Sequence, residues 1–134
     1  MNGKIKKTKE EWKKILTNKE FHILREKGTE PPGSGKYLKN KDEGIYICAG
    51  CGNELFSSEE KYDSRSGWPS FWNVVSKENV KFNSDKSYGM TRTEVLCSIC
   101  EGHLGHVFDD GPLPTGKRFC INSAALHFKK RDKN

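Results

Sequence analysis

The chain has 134 residues, of which 33% are hydrophobic, and a net charge of +6. That length gives one hydrophobic core and excludes two. No stretch reaches the roughly 20 apolar residues of a membrane span, and the Lys-rich start lacks the apolar core of an export signal. The positive charge is a fringe. Residues 1–44 carry twelve Lys/Arg against seven Asp/Glu, and the last six residues carry four against one. Residues 45–128 carry eight basic and ten acidic groups and hold all five cysteines. That distribution fits solubility better than a nucleic-acid surface.

Taken in order, the pattern predicts two short helices and then a run of strands. Thr8 with Glu11 forms a capping-box signature, followed by Trp12, Ile15 and Leu16 as one apolar face. Thr17 or Asn18 caps a second helix in which Phe21 and Leu24 share a face and Gly28 supplies the stop. The run Thr29–Gly35, rich in Pro and Gly, wraps as an ordered loop. Strands are expected at Gly44–Cys48, Asn73–Val75, Val80–Phe82, Tyr88–Cys97, Leu104–Phe108, Arg118–Asn122 and Ala125–Phe128. Short strands separated by turn residues indicate a mainly β fold of antiparallel sheets. One domain over 1–134 is expected, with its core at 8–128 and basic tails at 1–7 and 129–134.

Four cysteines form two tight pairs, Cys48-Ala-Gly-Cys51 and Cys97-Ser-Ile-Cys100. Two such knuckles make a tetrahedral four-thiolate site of the kind that suits one zinc ion. Gly50, Gly52 and Gly102 permit the turns that aim both sulfurs of a pair at one ion. A closed shell of four sulfurs leaves no open position, so the role is structural. The knuckles lie 45 residues apart, and the metal would tie the early and late halves together. The alternative is a redox disulfide at one or both pairs; free or metal-bound thiols fit a reducing cytoplasm better.

Cys120 is left over. On an alternating strand, Arg118, Cys120 and Asn122 share one face and Phe119 and Ile121 the other. A guanidinium on the thiol's own face favours the thiolate and lowers its pKa. The competing reading is a buried, inert cysteine. In His103-Leu-Gly-His106 the two histidines would face opposite ways on a regular strand; a bulge at Gly105 would bring them together. Paired histidines near a thiolate can supply a proton to a departing oxygen; one of them could instead ligate zinc, although four sulfurs already fill the shell. His22 and His127 stand outside any cluster. Ser66-Gly-Trp68-Pro-Ser-Phe71-Trp72 holds aromatic surface on a proline-stiffened loop, either as core or as the wall of a small apolar pocket.

Four segments occur together and in order: Gly-Ile-Tyr-Ile-Cys48-Ala-Gly-Cys51-Gly, Gly67-Trp68-Pro-Ser-Phe71, His103-Leu-Gly-His106-Val-Phe-Asp-Asp-Gly-Pro, and Arg118-Phe-Cys120-Ile-Asn122-Ser-Ala. In these the chain resembles the B-type peptide methionine (R)-S-oxide reductases from about Trp12 to Phe128. The resemblance implies two antiparallel sheets with N-terminal helices and one structural Zn2+ on Cys48, Cys51, Cys97 and Cys100. It implies that Cys120 attacks the sulfoxide sulfur while His103, His106 and Asn122 hold and protonate the oxygen. Trp68 would pack on the substrate methyl group, with Phe108, Arg118 and Asp110 completing the substrate site. Partners implied are oxidised proteins or peptides and a thiol reductant such as thioredoxin; the free thiols point to the cytoplasm, and nothing in the sequence requires more than a monomer.

One position departs from the family pattern. Ser66 stands where many members carry a second, resolving cysteine. With four thiols on the metal, the expectation is a one-cysteine cycle in which Cys120 becomes a sulfenic acid that an external thiol reduces. A zinc-ribbon binding module would instead tolerate loss of Cys120 and bind with steep salt dependence. A cysteine hydrolase would form an acyl intermediate and need no reductant.

Overall fold

The computed structural model describes residues 5–86 and 89–131. Helix α1 (Lys9–Ile15) starts at Thr8, whose Oγ1 accepts the Glu11 N–H (3.1 Å) while Glu11 Oε1 accepts the Thr8 N–H (2.7 Å). The same reciprocal pair fixes Thr17, rather than Asn18, as the cap of α2 (Asn18–Glu26). The buried face of α1 is narrower than expected: Trp12 and Leu16 are buried, but Ile15 is 57% exposed. Helix α2 ends because Lys27 turns left-handed (φ 56°) and the Gly28 N–H returns to His22 O (2.9 Å). Gly28 serves this stop through its size. A Cβ there would lie 2.3 Å from the His22 ring.

Nine strands follow among the described residues: β1 (Gly44–Cys48), β2 (Glu54–Ser57), β3 (Lys61–Tyr62), β4 (Ser70–Phe71), β5 (Val80–Asp85), β6 (Arg92–Cys97), β7 (His103–Phe108), β8 (Arg118–Ile121) and β9 (Leu126–Lys130). They pair antiparallel into a three-stranded sheet, β2-β1-β9, and a six-stranded sheet, β3-β4-β8-β7-β6-β5. The expected strand at Asn73–Val75 is a bent segment, tied to β2 by the Val75 N–H on Leu55 O (2.9 Å). Strand β2 buries three residues in succession, Leu55, Phe56 and Ser57, so it carries no alternation to read. Strands β3 and β4 have two residues each, too few for a period. Tyr88 and the outer parts of the basic tails lie outside the described residues; β6 begins at Arg92.

The sheets meet through aromatic rings. Phe56 of β2 stacks on Phe71 of β4 (centroids 4.4 Å) and lies 5.9 Å from Phe119 of β8, while Tyr46 of β1 meets Phe71 edge-on at 5.2 Å. The helices cover the turns at the strand ends. Trp12 sits 3.3 Å from where a Cβ on Gly50 would be, Leu24 closes on Gly102, and the Arg25 guanidinium lies over the Trp12 ring (4.8 Å) and donates to Cys100 O (2.8 Å). No helix among the described residues is long and apolar enough to cross a membrane.

Phe56 is fully buried between the two sheets, so Phe56→Ala should cost about 3–5 kcal/mol of stability in urea unfolding. A loss below about 1 kcal/mol would contradict this packing.

Candidate active site and metal centre

The two knuckles are the same turn built twice. The Cys48 N–H donates to Asn53 O and the Gly52 N–H to Cys48 O; the Cys97 N–H donates to Gly102 O and the Glu101 N–H to Cys97 O, at 2.8–3.0 Å. In each, the residue after the second cysteine is left-handed: Gly52 (φ 81°) in one, Glu101 (φ 62°) in the other. The conformational role expected of Gly102 therefore falls on Glu101. Gly102 is small because Leu24 and the Cys100 sulfur crowd it.

One knuckle joins β1 to β2 and the other joins β6 to β7, so the four sulfurs connect the two sheets. They lie within 4.8 Å of one another, with Cys48–Cys100 at 3.6 Å and Cys51–Cys97 at 3.5 Å. A tetrahedral ion with metal–sulfur bonds of about 2.3 Å needs sulfurs about 3.8 Å apart, whereas a disulfide needs about 2.05 Å. The set fits a metal ion and no disulfide. A cation is also what four crowded thiolates require against their mutual repulsion. N–H groups reach the sulfurs, among them Gly50 to Cys48 (3.4 Å) and the Asn53 amide to Cys97 (3.5 Å).

Sheet register assembles the second site. Directly paired residues run in one row across all six strands: Asn83, Glu94, His106, Cys120, Ser70 and Tyr62. His103 would fall on the opposite face of a regular β7. It does not, because the pairing slips: Leu96 opposes His103 and Val95 opposes Gly105, leaving Leu104 as an extra residue. The expected bulge exists one residue before Gly105. His103 and His106 then stand edge to face with centroids 5.4 Å apart. Gly105 has a separate reason to be glycine, since a Cβ there would sit 2.1 Å from Cys120 O.

Cys120 opens on a cavity of about 230 Å³ lined by Thr29, Trp68, Arg92, Gly105, His106, Phe108, Arg118 and Asn122. Of the predicted residues, Trp68, Phe108, Arg118, His106, Asn122 and Cys120 line it. His103 is buried behind His106, and Asp110 lies outside. Asp110 instead clamps Arg118 through two oxygens (2.8 and 3.2 Å), and the guanidinium stacks on Phe108 (4.4 Å). Asn122 Oδ1 accepts the Glu30 N–H (3.0 Å) and its amide donates one hydrogen to Leu104 O (3.1 Å). An amide carries two such hydrogens, so one remains for a ligand. His106 Nε2 pairs with Asp85 Oδ2 (2.8 Å), which also meets Arg92 (3.3 Å).

Glu30, Glu94, Asp85 and Ser66 complete the site, and only Ser66 was visible in the sequence. The Glu30 carboxylate accepts the Ser123 and Ala124 N–H groups (2.9 and 3.1 Å), and its carbonyl accepts the Trp68 indole N–H (2.9 Å). It thus locks the ordered 29–35 loop, the Trp68 ring and the turn after Cys120 together. Ser66 Oγ lies 3.7 Å from Cys120 Sγ, held in a hydroxyl chain with Ser64 and Ser70. Acidic residues scattered over separate strands and loops carry no spacing signal.

The resting thiol differs from expectation. Burial pushes the Cys120 pKa up, and this outweighs the lowering by Ser66 and Arg118. Burial, with the charges of His106 and Lys27, also pulls His103 down against the raising effect of Glu94.

A family profile for the SelR domain matches residues 16–130. This chain belongs to the SelR family. It is 56% identical over 128 residues to the peptide methionine sulfoxide reductase MsrB of Methanosarcina barkeri, covering 96% of this chain and 90% of that protein. It is 57% identical over 130 residues to the protein of that name from Leptospira interrogans, covering 97% and 99%. The Methanosarcina mazei protein is 56% identical over 130 residues, covering 97% and 93%. The SelR profile spans both knuckles, Trp68, both histidines and Cys120, so site and metal centre lie inside the matched region.

Two outcomes follow. Cys97→Ser should lose bound metal, read by elemental analysis, together with several degrees of melting temperature; an unchanged melting temperature would refute the structural role. Half-maximal alkylation of Cys120 by iodoacetamide should fall at a pH above that of an ordinary thiol, and Arg118→Met should move it higher still because a cation is lost. A shift to lower pH in that variant would contradict the assigned effect of Arg118.

Proposed function

We propose that this protein reduces the R epimer of methionine sulfoxide in proteins and peptides, with Cys120 as the nucleophile. The observation that carries the reading is the row in which Cys120 faces His106 across the sheet, beneath a cavity walled by the rings of Trp68 and Phe108. The aromatic wall of a cavity of that size suits the methyl and thioether part of the substrate, and its polar wall the oxygen. The sulfoxide oxygen would lie toward His106 and the second amide hydrogen of Asn122, with His103 behind.

The proton inventory supports the same chemistry. In the resting protein burial raises the pKa of Cys120 and lowers that of His103, so the proton that reaches the oxygen can come from the thiol itself. The sulfur of Cys120 bonds to the sulfoxide sulfur while the thiol proton passes through a histidine to the oxygen. Oxygen transfer then releases the thioether and leaves Cys120–SOH. Atoms balance without an added proton, and sulfur is the only element that changes oxidation state. A first external thiol, R–SH, displaces water to give Cys120–S–S–R, and a second releases R–S–S–R and the free Cys120 thiol. Ser66, at 3.7 Å from Cys120, offers no thiol for an internal disulfide.

The ion we assign to Cys48, Cys51, Cys97 and Cys100 is zinc, which would stabilise the fold and take no part in these steps. Oxidised proteins are the proposed substrates, thioredoxin or another thiol the reductant, and the cytoplasm the location. Arg118, held by Asp110, keeps a positive charge beside the sulfur.

The test is turnover of each epimer of an N-blocked methionine sulfoxide with dithiothreitol. The R epimer alone should react, and Cys120→Ser should abolish the reaction. Mass spectrometry of protein treated with substrate alone should find Cys120–SOH. Turnover of only the S epimer, or an internal disulfide formed with the metal retained, would overturn the assignment.

A further inference from the structure

Glu94 is fully buried in β6, and its two oxygens have different partners. Oε2 is hydrogen-bonded to His103 Nδ1 (2.7 Å), and Oε1 makes an ion pair with Lys27 Nζ at 3.3 Å without hydrogen-bond geometry. A buried carboxylate needs such partners to offset its desolvation. Lys27 reaches it because α2 ends in a left-handed turn at that residue. The other imidazole nitrogen, His103 Nε2, is buried and has no hydrogen-bond partner among the described residues. Most buried polar atoms find a partner, and this nitrogen stands open to a proton.

We propose that Glu94, with Lys27 on its other oxygen, is a positioning residue that holds the resting proton of His103 on Nδ1 and leaves Nε2 as the bare acceptor, reached through His106, for the proton exchanged between Cys120 and the sulfoxide oxygen. The proposal rests on the sulfoxide-reductase reading above for the identity of that proton's source and destination. The physical basis is local. A carboxylate accepts and cannot donate, so the nitrogen it meets must carry the hydrogen, and the tautomer follows. When Nε2 takes up the thiol proton, the imidazolium gains the Glu94 charge at hydrogen-bond distance. Lys27 moderates that gain, and His106, 5.4 Å away between ring centroids, also faces His103.

The signs are opposite for the two partners. Removing the negative charge of Glu94 weakens proton uptake at His103, so the acid limb of the rate profile moves to lower pH. Removing the positive charge of Lys27 strengthens it, so the limb moves to higher pH.

The experiment measures Cys120 oxidation in a single turnover with the R sulfoxide against pH, for the full chain, Glu94→Gln and Lys27→Met. Glu94→Gln should lower the plateau rate at least about tenfold and shift the limb down; Lys27→Met should shift it up. A loss of packing alone would not move the limb in opposite directions. Nitrogen-15 NMR of the resting wild-type ring should independently find hydrogen on Nδ1 and none on Nε2. A wild type that turns over while neither variant shifts the limb, or a ring with its hydrogen on Nε2, overturns the proposal and leaves the reductase reading standing. A wild type inert to both epimers removes the reductase reading, while the NMR result still decides the tautomer. If Glu94→Gln fails to fold, Lys27→Met and the NMR measurement decide.

Discussion

The four-sulfur cluster is the constraint on which the rest of this structure depends. Each knuckle terminates one strand and starts the next, one in each sheet, so closing the cluster fixes how the sheets face each other and where β7 begins. His103 is the third residue after Cys100. A start for β7 fixed by the metal turn, together with a pairing to β8 fixed by Gly105 on Cys120, leaves one residue too many between them. Leu104 is that residue, and its bulge turns His103 onto the face of Cys120. The metal centre and the thiol site are thus separate in chemistry but joined through the register of one strand.

The small cavity is built on rigid elements. Cys120, His106 and Arg118 sit on paired strands, and the two loops that close the site are laced to one another. Gly33 donates to Gly67 O (2.7 Å), and Gly67 is left-handed with Pro32 against it, leaving no room for a side chain. Glu30 extends that lacing to Trp68 and to the turn after Cys120. A ring positioned by one buried carboxyl residue and two loop contacts loses little entropy on meeting a substrate.

Charges around the thiol are arranged in pairs rather than left free. Asp110 holds Arg118, Asp85 holds His106, and Glu94 with Lys27 holds His103. Each carboxylate offsets the burial cost of its partner and fixes its orientation. The outcome at Cys120 is set by competition between burial and Arg118, and burial wins. A same-face arginine was readable from alternation; the depth of the strand in the sheet was not.

Much of the fold was legible from short-range chemistry. Capping boxes, the C-x-x-C spacing and the alternation in β1 and β8 are written within a few residues of chain, so the helices, the ligand set and Cys120 with its neighbours could be read directly. Strands β2 to β4 could not, because a run of buried residues or a two-residue strand has no period. Glu30, Glu94 and Asp85 were likewise invisible as site residues. Their partners lie 92, 9 and 21 positions away along the chain, and a lone acidic residue says nothing of what it will meet. Residue spacing establishes which atoms are available, four thiols for a metal and one to spare. How the spare thiol is tuned is settled by packing, because burial, register and the partners of each buried charge arise when distant segments meet.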